Sequence, residues 1–317
     1  NRLEFIGNAL FIPYFLIDAI SRIRNEFIDR SYRTESSRLG FYESQANAVY
    51  EVEDWFGEMQ GVTYQEHITN LYNAVNELTK NPTSTIARSS LIQNAAAFID
   101  RSEAIYSGLK DYQVTLNTEV NNMVEKINSL GQRIYNLNKG IVKVEAAGVE
   151  RANDLRDSRD LALDELSKYI DIDYYETKDG EVIVSAENVP FITKNDIAKM
   201  SVREEGTYGL LIPQWEGYQQ DVYNFDKQAN NANDTDKGKL KGLLIARGVI
   251  EVNYTDIPVM PERADYDLTT EQGMAEYNSA MDAYQQKQDY YNKYIEPSAI
   301  LSAIAGFDKL VNGIVTA

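Results

Sequence analysis

A stripe of mostly apolar residues runs from Leu91 to Leu137 in unbroken steps of three or four residues. This spacing places the side chains on one face of an α-helix. A single helix over that range is about 70 Å long at ~1.5 Å per residue, far longer than an ordinary enzyme core needs. The pattern predicts a mainly α fold, an elongated helical bundle or rod with long coiled-coil-like helices. The core of this stripe comprises Leu116, Val120, Met123, Ile127, Leu130, Ile134 and Leu137.

The composition excludes several classes of function. The net charge of −18 repels phosphate backbones and anionic lipids, so we expect neither a nucleic-acid nor a membrane partner. The chain has no cysteine and one histidine, His67, which leaves too few ligands for an ordinary zinc site. We interpret His67 as a solvated or capping residue at a helix start. We expect no cofactor, no metal and no enzymatic activity.

The chain changes its periodicity along its length. An alternation with period two begins at Asp171, and Lys178-Asp179-Gly180 is typical of a hairpin turn. Further β-like runs occur at 207–212 and 249–254. Before this region, the long helix is predicted to start at a hydroxyl cap in 83–85 and to fade at Lys139-Gly140. The predicted domains are a lead-in segment at 1–19, a helical rod domain at 20–170 and 262–317, and a small β-rich module at 171–261.

Two further segments leave alternatives open. We interpret residues 1–19 as an extended lead-in or a stretch foreign to the natural protein, and as neither a good signal peptide nor a transmembrane span. Both chain ends look like cut points. Near the other end, tyrosines and methionines repeat at helical spacing, which indicates core packing or, alternatively, an exposed partner surface. This Tyr/Met stripe comprises Met274, Tyr277, Met281, Tyr284 and Tyr291.

The segment 152–160 has the most unusual local chemistry. On a helix, Arg159 falls on the same face as Leu155 and Leu166, whereas Asp157 and Asp160 fall opposite. An unpaired buried charge costs several kcal/mol. We therefore predict that Arg159 is paired and fixes how its helix docks; the alternative is that it reaches solvent from the edge of the stripe. Asn153 or Asp154 is a predicted N-cap. The candidate structural and assembly residues are Asn153, Asp154, Arg156, Asp157, Arg159 and Asp160.

This motif, read as A-N-D-L-R-D-x-R-D at 152–160 and followed by D-E-L-S at 164–167, resembles the signature of the flagellar hook-associated protein 1 family. The helix at 117–134 is similar to the family's N-x-x-V…I-N-x-L pattern, and the segments at 22–33, 81–88 and 307–311 also fit. The resemblance covers about residues 20–317. The amphipathic N-terminal heptads, the C-terminal helices and the outer β domain of the family are not matched.

The resemblance implies a structural subunit that joins the hook of a bacterial flagellum to its filament. Its implied partners are other copies of itself in a ring, the hook protein, a second junction protein and an export chaperone that acts through termini not matched here. It implies secretion by type III export to the extracellular flagellum. Two alternatives remain open: an extracellular adhesin, and another flagellar rod-type protein.

Overall fold

A computed structural model of the chain describes residues 3–57, 63–146, 152–225 and 229–316, with side chains described from Glu26 onward. Long helices dominate the described part, and short antiparallel strands lie between the fourth and fifth helices. The predicted mainly α class with a β-rich segment is thereby confirmed. The helices are α1 Leu3–Phe56, α2 Tyr64–Lys80, α3 Thr85–Glu145, α4 Asn153–Tyr169, α5 Lys239–Arg247, α6 Glu271–Tyr290 and α7 Ala299–Thr316.

Helix α3 carries the apolar stripe on which the sequence analysis depends. Its first turn is capped by Ser84, whose Oγ accepts the N–H of Ala87 at 3.2 Å. The helix continues beyond Gly140 to Glu145, so the prediction that it fades at Lys139-Gly140 is wrong. Burial of Ile141, which is 0% exposed, outweighs the cost of about 1 kcal/mol for a helical glycine. The stripe residues Leu116, Val120, Met123, Ile127, Leu130 and Ile134 are buried, and Leu137 is half-buried.

Helix α1 differs from its prediction at its start. The backbone is helical from Leu3 onward, whereas the sequence predicts an extended lead-in over residues 1–19. Helix formation is cooperative once nucleated, so extension of a helix that runs to Phe56 outweighs the poor helix formers in this segment.

Two compact units result from the contacts within the chain, and each is described by itself. Unit 1 comprises Asn1–Phe41, Ile127–Ala198 and Lys237–Lys239, and unit 2 comprises Tyr42–Lys126, Lys199–Asp236 and Leu240–Ala317. The predicted division into 1–19, 20–170 with 262–317, and 171–261 remains a prediction. The two units do not correspond to the predicted domains, because the strands of the predicted β-rich module are divided between unit 1 and unit 2.

Unit 1 contains one three-stranded antiparallel sheet, β1 Ile172–Glu176, β2 Val182–Ala186 and β3 Val189–Ile192, in that order. The predicted hairpin turn joins β1 to β2, and Gly180 adopts a φ of +83°, which favours glycine. The sheet packs on α3 closely at Gly131, where an added Cβ would lie 2.5 Å from the ring of Phe191.

Unit 2 contains a second antiparallel sheet, β4 Met200–Glu205, β5 Leu210–Trp215 and β6 Gln220–Asp221, in that order. The β-like run at 207–212 is thus partly confirmed by β5. The run at 249–254 is not a strand in the described chain. It follows α5, which ends where Gly248 adopts a φ of +80°, and it leads into a 3₁₀ turn that Asn253 caps. Local capping therefore prevails over β propensity there.

The Tyr/Met stripe, four members of which lie on α6 while Tyr291 directly follows it, is not core, so that interpretation is wrong. Met274 is 47% exposed, and the other four members of the stripe are half-buried. On α6 only Gly273 is buried. The stripe contacts neighbouring aromatic rings instead, as between Tyr266 and Tyr277, whose ring centroids lie 5.4 Å apart.

Helix α7 is long and apolar enough to cross a membrane by length and composition alone. Core helices of ordinary folds pass the same test. One face of α7 is buried in unit 2, through Ile300, Leu301, Ile304, Ala305 and Phe307. Its apolar character is therefore partly explained by core packing.

Candidate functional site

The start of α4 brings the predicted motif to the surface of unit 1. Ala152 is the N-cap and its N–H donates to Glu145 Oε1 at 3.0 Å, so the prediction that Asn153 or Asp154 caps the helix is wrong. The α3 carboxylate thus fixes the backbone of the N-cap residue. Asn153 and Asp154 lie exposed in the first turn, where a negative charge is favoured by the helix dipole.

Arg159 is buried and paired, as predicted. Its side chain is 2% exposed. Nη1 donates to Gly180 O at 2.6 Å and to Asn138 Oδ1 at 3.1 Å, and Nη2 donates to Glu176 Oε2 at 2.9 Å. Burial lowers the pKa of Arg159, and the charge of Glu176 opposes that shift. The alternative that Arg159 reaches solvent is excluded.

Asn138 connects this arginine to the sheet. Its Nδ2 donates to Val182 O at 2.8 Å, and its Oδ1 accepts the N–H of Val182 at 3.0 Å. The amide therefore satisfies one residue of β2 as a neighbouring strand would. Together, Asn138, Arg159, Glu176, Gly180 and Val182 form what we call the Asn138 cluster, which ties α3, α4 and the β1–β2 hairpin together.

Arg156 lies beside this cluster and binds two carboxylates. Its Nε and Nη2 donate to the two oxygens of Glu145, each at 2.8 Å, and its Nη1 donates to Glu176 Oε1 at 2.6 Å. Bidentate arginine–carboxylate pairs are among the strongest side-chain hydrogen bonds. The bonds from Arg156 and from the Ala152 N–H lower the pKa of Glu145 to about 2. Glu176 is shared between both arginines of the motif.

The acidic members of the motif behave differently from one another. Asp157 is exposed, whereas Asp160 and the nearby Asp164 lie close to Arg33 of α1. Arg33 is buried; its Nε donates to Asp164 Oδ1 at 2.7 Å and its guanidinium covers the ring of Tyr174 at 4.6 Å. Burial raises the pKa of Asp160, and the attraction of Arg33 opposes that shift. Helix α4 is thus held on two sides within unit 1.

A second buried arginine, which the sequence analysis missed, lies in unit 2. Arg247 is 0% exposed; its Nη1 donates to Asn117 Oδ1 at 2.6 Å, its Nη2 to Leu211 O at 3.0 Å and its Nε to Gly248 O at 3.0 Å. Among the described residues no carboxylate pairs with it. Burial lowers the pKa of Arg247 to about 10, still high enough to keep it charged at neutral pH.

Asn117 has the same role in unit 2 as Asn138 has in unit 1. Its Oδ1 also accepts the N–H of Leu211 at 3.0 Å, and its Nδ2 donates to Gly209 O at 3.0 Å. We call Asn117, Gly209, Leu211 and Arg247 the Asn117 cluster. Both asparagines lie on α3, three heptads apart, so each unit has one asparagine that receives a strand and a buried arginine. A polar amide beside a long apolar stripe is the sequence signal that points to them.

These clusters hold structure and offer no catalytic chemistry. The described chain contains no group of three His, Cys, Asp or Glu side chains placed to hold a metal ion. His67 lies in the first turn of α2, where its backbone N–H donates to Thr63 O at 3.2 Å. That position agrees with the interpretation of His67 as a helix-start residue.

The comparisons with known proteins point to one family. Residues 49–278 match the family model of the flagellar hook-associated protein FlgK helical domain. Flagellar hook-associated protein 1 of Bacillus subtilis (strain 168) is 28% identical over 253 residues, which is 77% of this chain and 50% of that protein. The protein of the same name from Salmonella typhimurium is 21% identical over 170 residues, covering 53% of this chain and 30% of its own length.

A solved structure supports the fold. The flagellar hook junction protein FlgK from Burkholderia pseudomallei superposes with a TM-score of 0.57 at 18% identity, covering 68% of this chain and 38% of that one. The chain thus spans half or less of the length of each of these relatives. Because the family model covers most of the chain, the chain belongs to the FlgK family of flagellar hook-associated proteins, whose helical domain it contains.

Proposed function

We propose that this chain is part of a structural subunit that joins the hook of a bacterial flagellum to its filament. The observation that carries the proposal is the match of residues 49–278 to the helical domain of the FlgK family. The relative from Bacillus subtilis is named flagellar hook-associated protein 1, and its alignment covers 77% of this chain. The subunit acts by packing and self-assembly, without catalysis.

The geometry of both units suits such a role. A subunit in a rotating assembly must keep its helices in register under load, and buried polar contacts with few alternative partners favour one arrangement. The Asn138 cluster fixes a hairpin and α4 on α3 in unit 1. The Asn117 cluster fixes a hairpin and the end of α5 on α3 in unit 2. Neither cluster needs a ligand.

We further propose its partners and location. The subunit forms a ring with other copies of itself, contacts the hook protein on one side and a second junction protein on the other, and leaves the cell by the flagellar type III export apparatus. An export chaperone binds termini outside this chain. These partners are supported by the family to which the chain belongs. They are proposed for the whole protein rather than for its helical domain alone.

Electron microscopy of cells that lack the gene, with flagellin assayed in the medium, tests the proposal. We expect bare hooks and shed flagellin, because filament subunits have no junction on which to polymerise. Re-expression of the intact gene serves as the control and must restore filaments. Normal filaments in the deletion strain contradict the junction role and favour the adhesin alternative.

A further inference from the structure

An open apolar groove lies in unit 2 between α3 and α7. It has a volume of about 470 Å³, and its walls are Ile99 and Tyr106 from α3 and Val311 and Val315 from α7. Ile99 is 47% exposed and Val315 is 65% exposed. Large apolar side chains that face each other across a groove mark a binding surface more often than isolated ones do.

The floor of the groove is rigid. Phe307 is 4% exposed, and its ring packs against Phe56 and Tyr64 with centroid distances of 5.4 and 5.2 Å. Ser102 is also buried, bonded to the Tyr64 hydroxyl at 3.0 Å and to Phe98 O at 2.7 Å. A preformed floor lowers the entropic cost of binding.

The shape of the groove fits a helix. On α3, Ile92, Ile99 and Tyr106 repeat at seven-residue spacing, and Ile92 is 69% exposed. This line extends for about 21 Å at ~1.5 Å per residue, enough to contact roughly four turns of a third helix. An amphipathic helix that lays its apolar face between two others is a recurring mode of recognition.

The charge of the groove selects among helices. Glu103 and Asp308 line it, and no lysine or arginine does so among the described residues. Lys110 lies outside the lining, with its Nζ 5.8 Å from the centroid of the Tyr106 ring, and it interacts with Asp308, so Glu103 is the main anionic group that an occupant meets. Asp308 is held in place, since its Oδ2 accepts the N–H of Tyr254 at 2.9 Å. Burial raises the pKa of the neighbouring Tyr106, and the charge of Asp308 adds to that shift. A cationic flank on the occupant is therefore favoured, and the net charge of −18 steers such a partner toward the surface.

We propose that the α3–α7 groove binds an amphipathic helix of a partner protein, whose apolar seam is flanked by lysine or arginine. A second copy of this chain fits this groove less well, because a copy brings the same net charge of −18 to a groove that Glu103 and Asp308 already make acidic; this applies to the groove and not to other faces of the chain. The proposal does not depend on the junction role.

A designed peptide tests the proposal. The probe is an 18-residue helix with leucines along one seam and lysines on both flanks; its counterpart has the same seam with glutamates on the flanks. Fluorescence anisotropy with the 317-residue chain measures affinity. We expect the lysine peptide to bind at least tenfold more tightly than the glutamate peptide, and added salt to reduce the difference.

Variants locate the binding. Val315→Lys and Glu103→Lys are each expected to weaken binding of the lysine peptide at least tenfold. Val315→Lys places a cation in the apolar wall of the groove, and Glu103→Lys reverses the charge that attracts the lysine flanks. Val259→Lys is the matched control, since Val259 is 70% exposed and lies outside the groove. Equal binding of both peptides, or equal affinity of all variants, overturns the proposal. The proposal is also overturned if the chain self-associates and Val315→Lys abolishes that self-association, because the groove would then bind a second copy.

Discussion

At the scale of single residues, the stability of unit 1 depends on a buried charge that is bonded through both of its terminal nitrogens, while its Nε has no partner. Arg159 places a guanidinium at 2% exposure among a carboxylate, an amide and a carbonyl. Removing one partner of such a set costs more than the set contributes, because the remaining groups stay buried and unpaired. The same reasoning applies to Arg247 in unit 2, where every partner is neutral.

Arg159→Met tests this at one position. It removes the side-chain donor to Gly180 O and one of the donors to Asn138 Oδ1 and to Glu176, which keep the Val182 N–H and Arg156 respectively. We therefore expect a loss of about 1–3 kcal/mol in the free energy of unfolding. Thermal and urea unfolding followed by circular dichroism measure it. The matched control is Arg133→Met, at an exposed position of α3, with an expected change within about 0.5 kcal/mol. An unchanged melting temperature for Arg159→Met would contradict the role of this arginine in folding.

The dependence of stability on pH follows from Glu145. Its pKa is lowered from 4.5 to about 2 in the folded chain, so the unfolded chain binds a proton more readily in that range. The stabilisation is therefore complete above the unfolded pKa and is lost as the pH falls through 4.5 toward 2. We expect Glu145→Gln to have a lower free energy of unfolding than the unsubstituted chain at pH 7, and we expect this difference to be smaller at pH 3. Urea titrations at both pH values check this, and a constant gap would contradict it.

At the scale of elements, two asparagines on one helix fix two hairpins. Asn138→Ala leaves the N–H and C=O of Val182 and one bond of Arg159 unmade, so we expect a loss of about 2–4 kcal/mol. Hydrogen exchange is expected to accelerate at the β2 amides. Asn117→Ala is expected to act likewise on β5 through Leu211. The control is Asn136→Ala, which removes an exposed hydrogen bond to Gln132. If Asn136→Ala accelerates exchange of the β2 amides as much as Asn138→Ala does, Asn138 does not hold the hairpin.

The elements also show what periodicity predicts and what it misses. Long apolar spacing identified α3, because a helix of that length is determined by many residues at once. Charge on an apolar face identified Arg159. The strand expected at 249–254 was wrong because Gly248 and Asn253 fix the backbone locally. Asn117, Asn138 and Arg247 were missed, since their roles depend on contacts between residues far apart in sequence.

At the scale of the whole molecule, the motif on α4 divides into inward and outward residues. Arg156 and Arg159 bind carboxylates of their own unit, whereas Asn153, Asp154 and Asp157 are exposed. A fold role accounts for the first group only. We therefore propose that the exposed members, Asp157 foremost, face a neighbouring subunit in the ring, as self-assembly requires a surface that intramolecular contacts leave open.

Asp157→Lys separates assembly from folding. Because Asp157 is exposed, we expect the free energy of unfolding to change by less than about 0.5 kcal/mol, while the reversed charge repels a neighbour that is complementary to a carboxylate. The protein carrying this change, expressed from its own gene, is expected to reach the medium and yet support fewer filaments, counted by electron microscopy. Asp111→Lys, an equally exposed change on α3, controls for charge alone. Normal filament numbers with Asp157→Lys, or an equal loss of filaments with Asp111→Lys, would contradict the proposal. The α4 motif would then act in folding alone, and the ring contact would lie on another face.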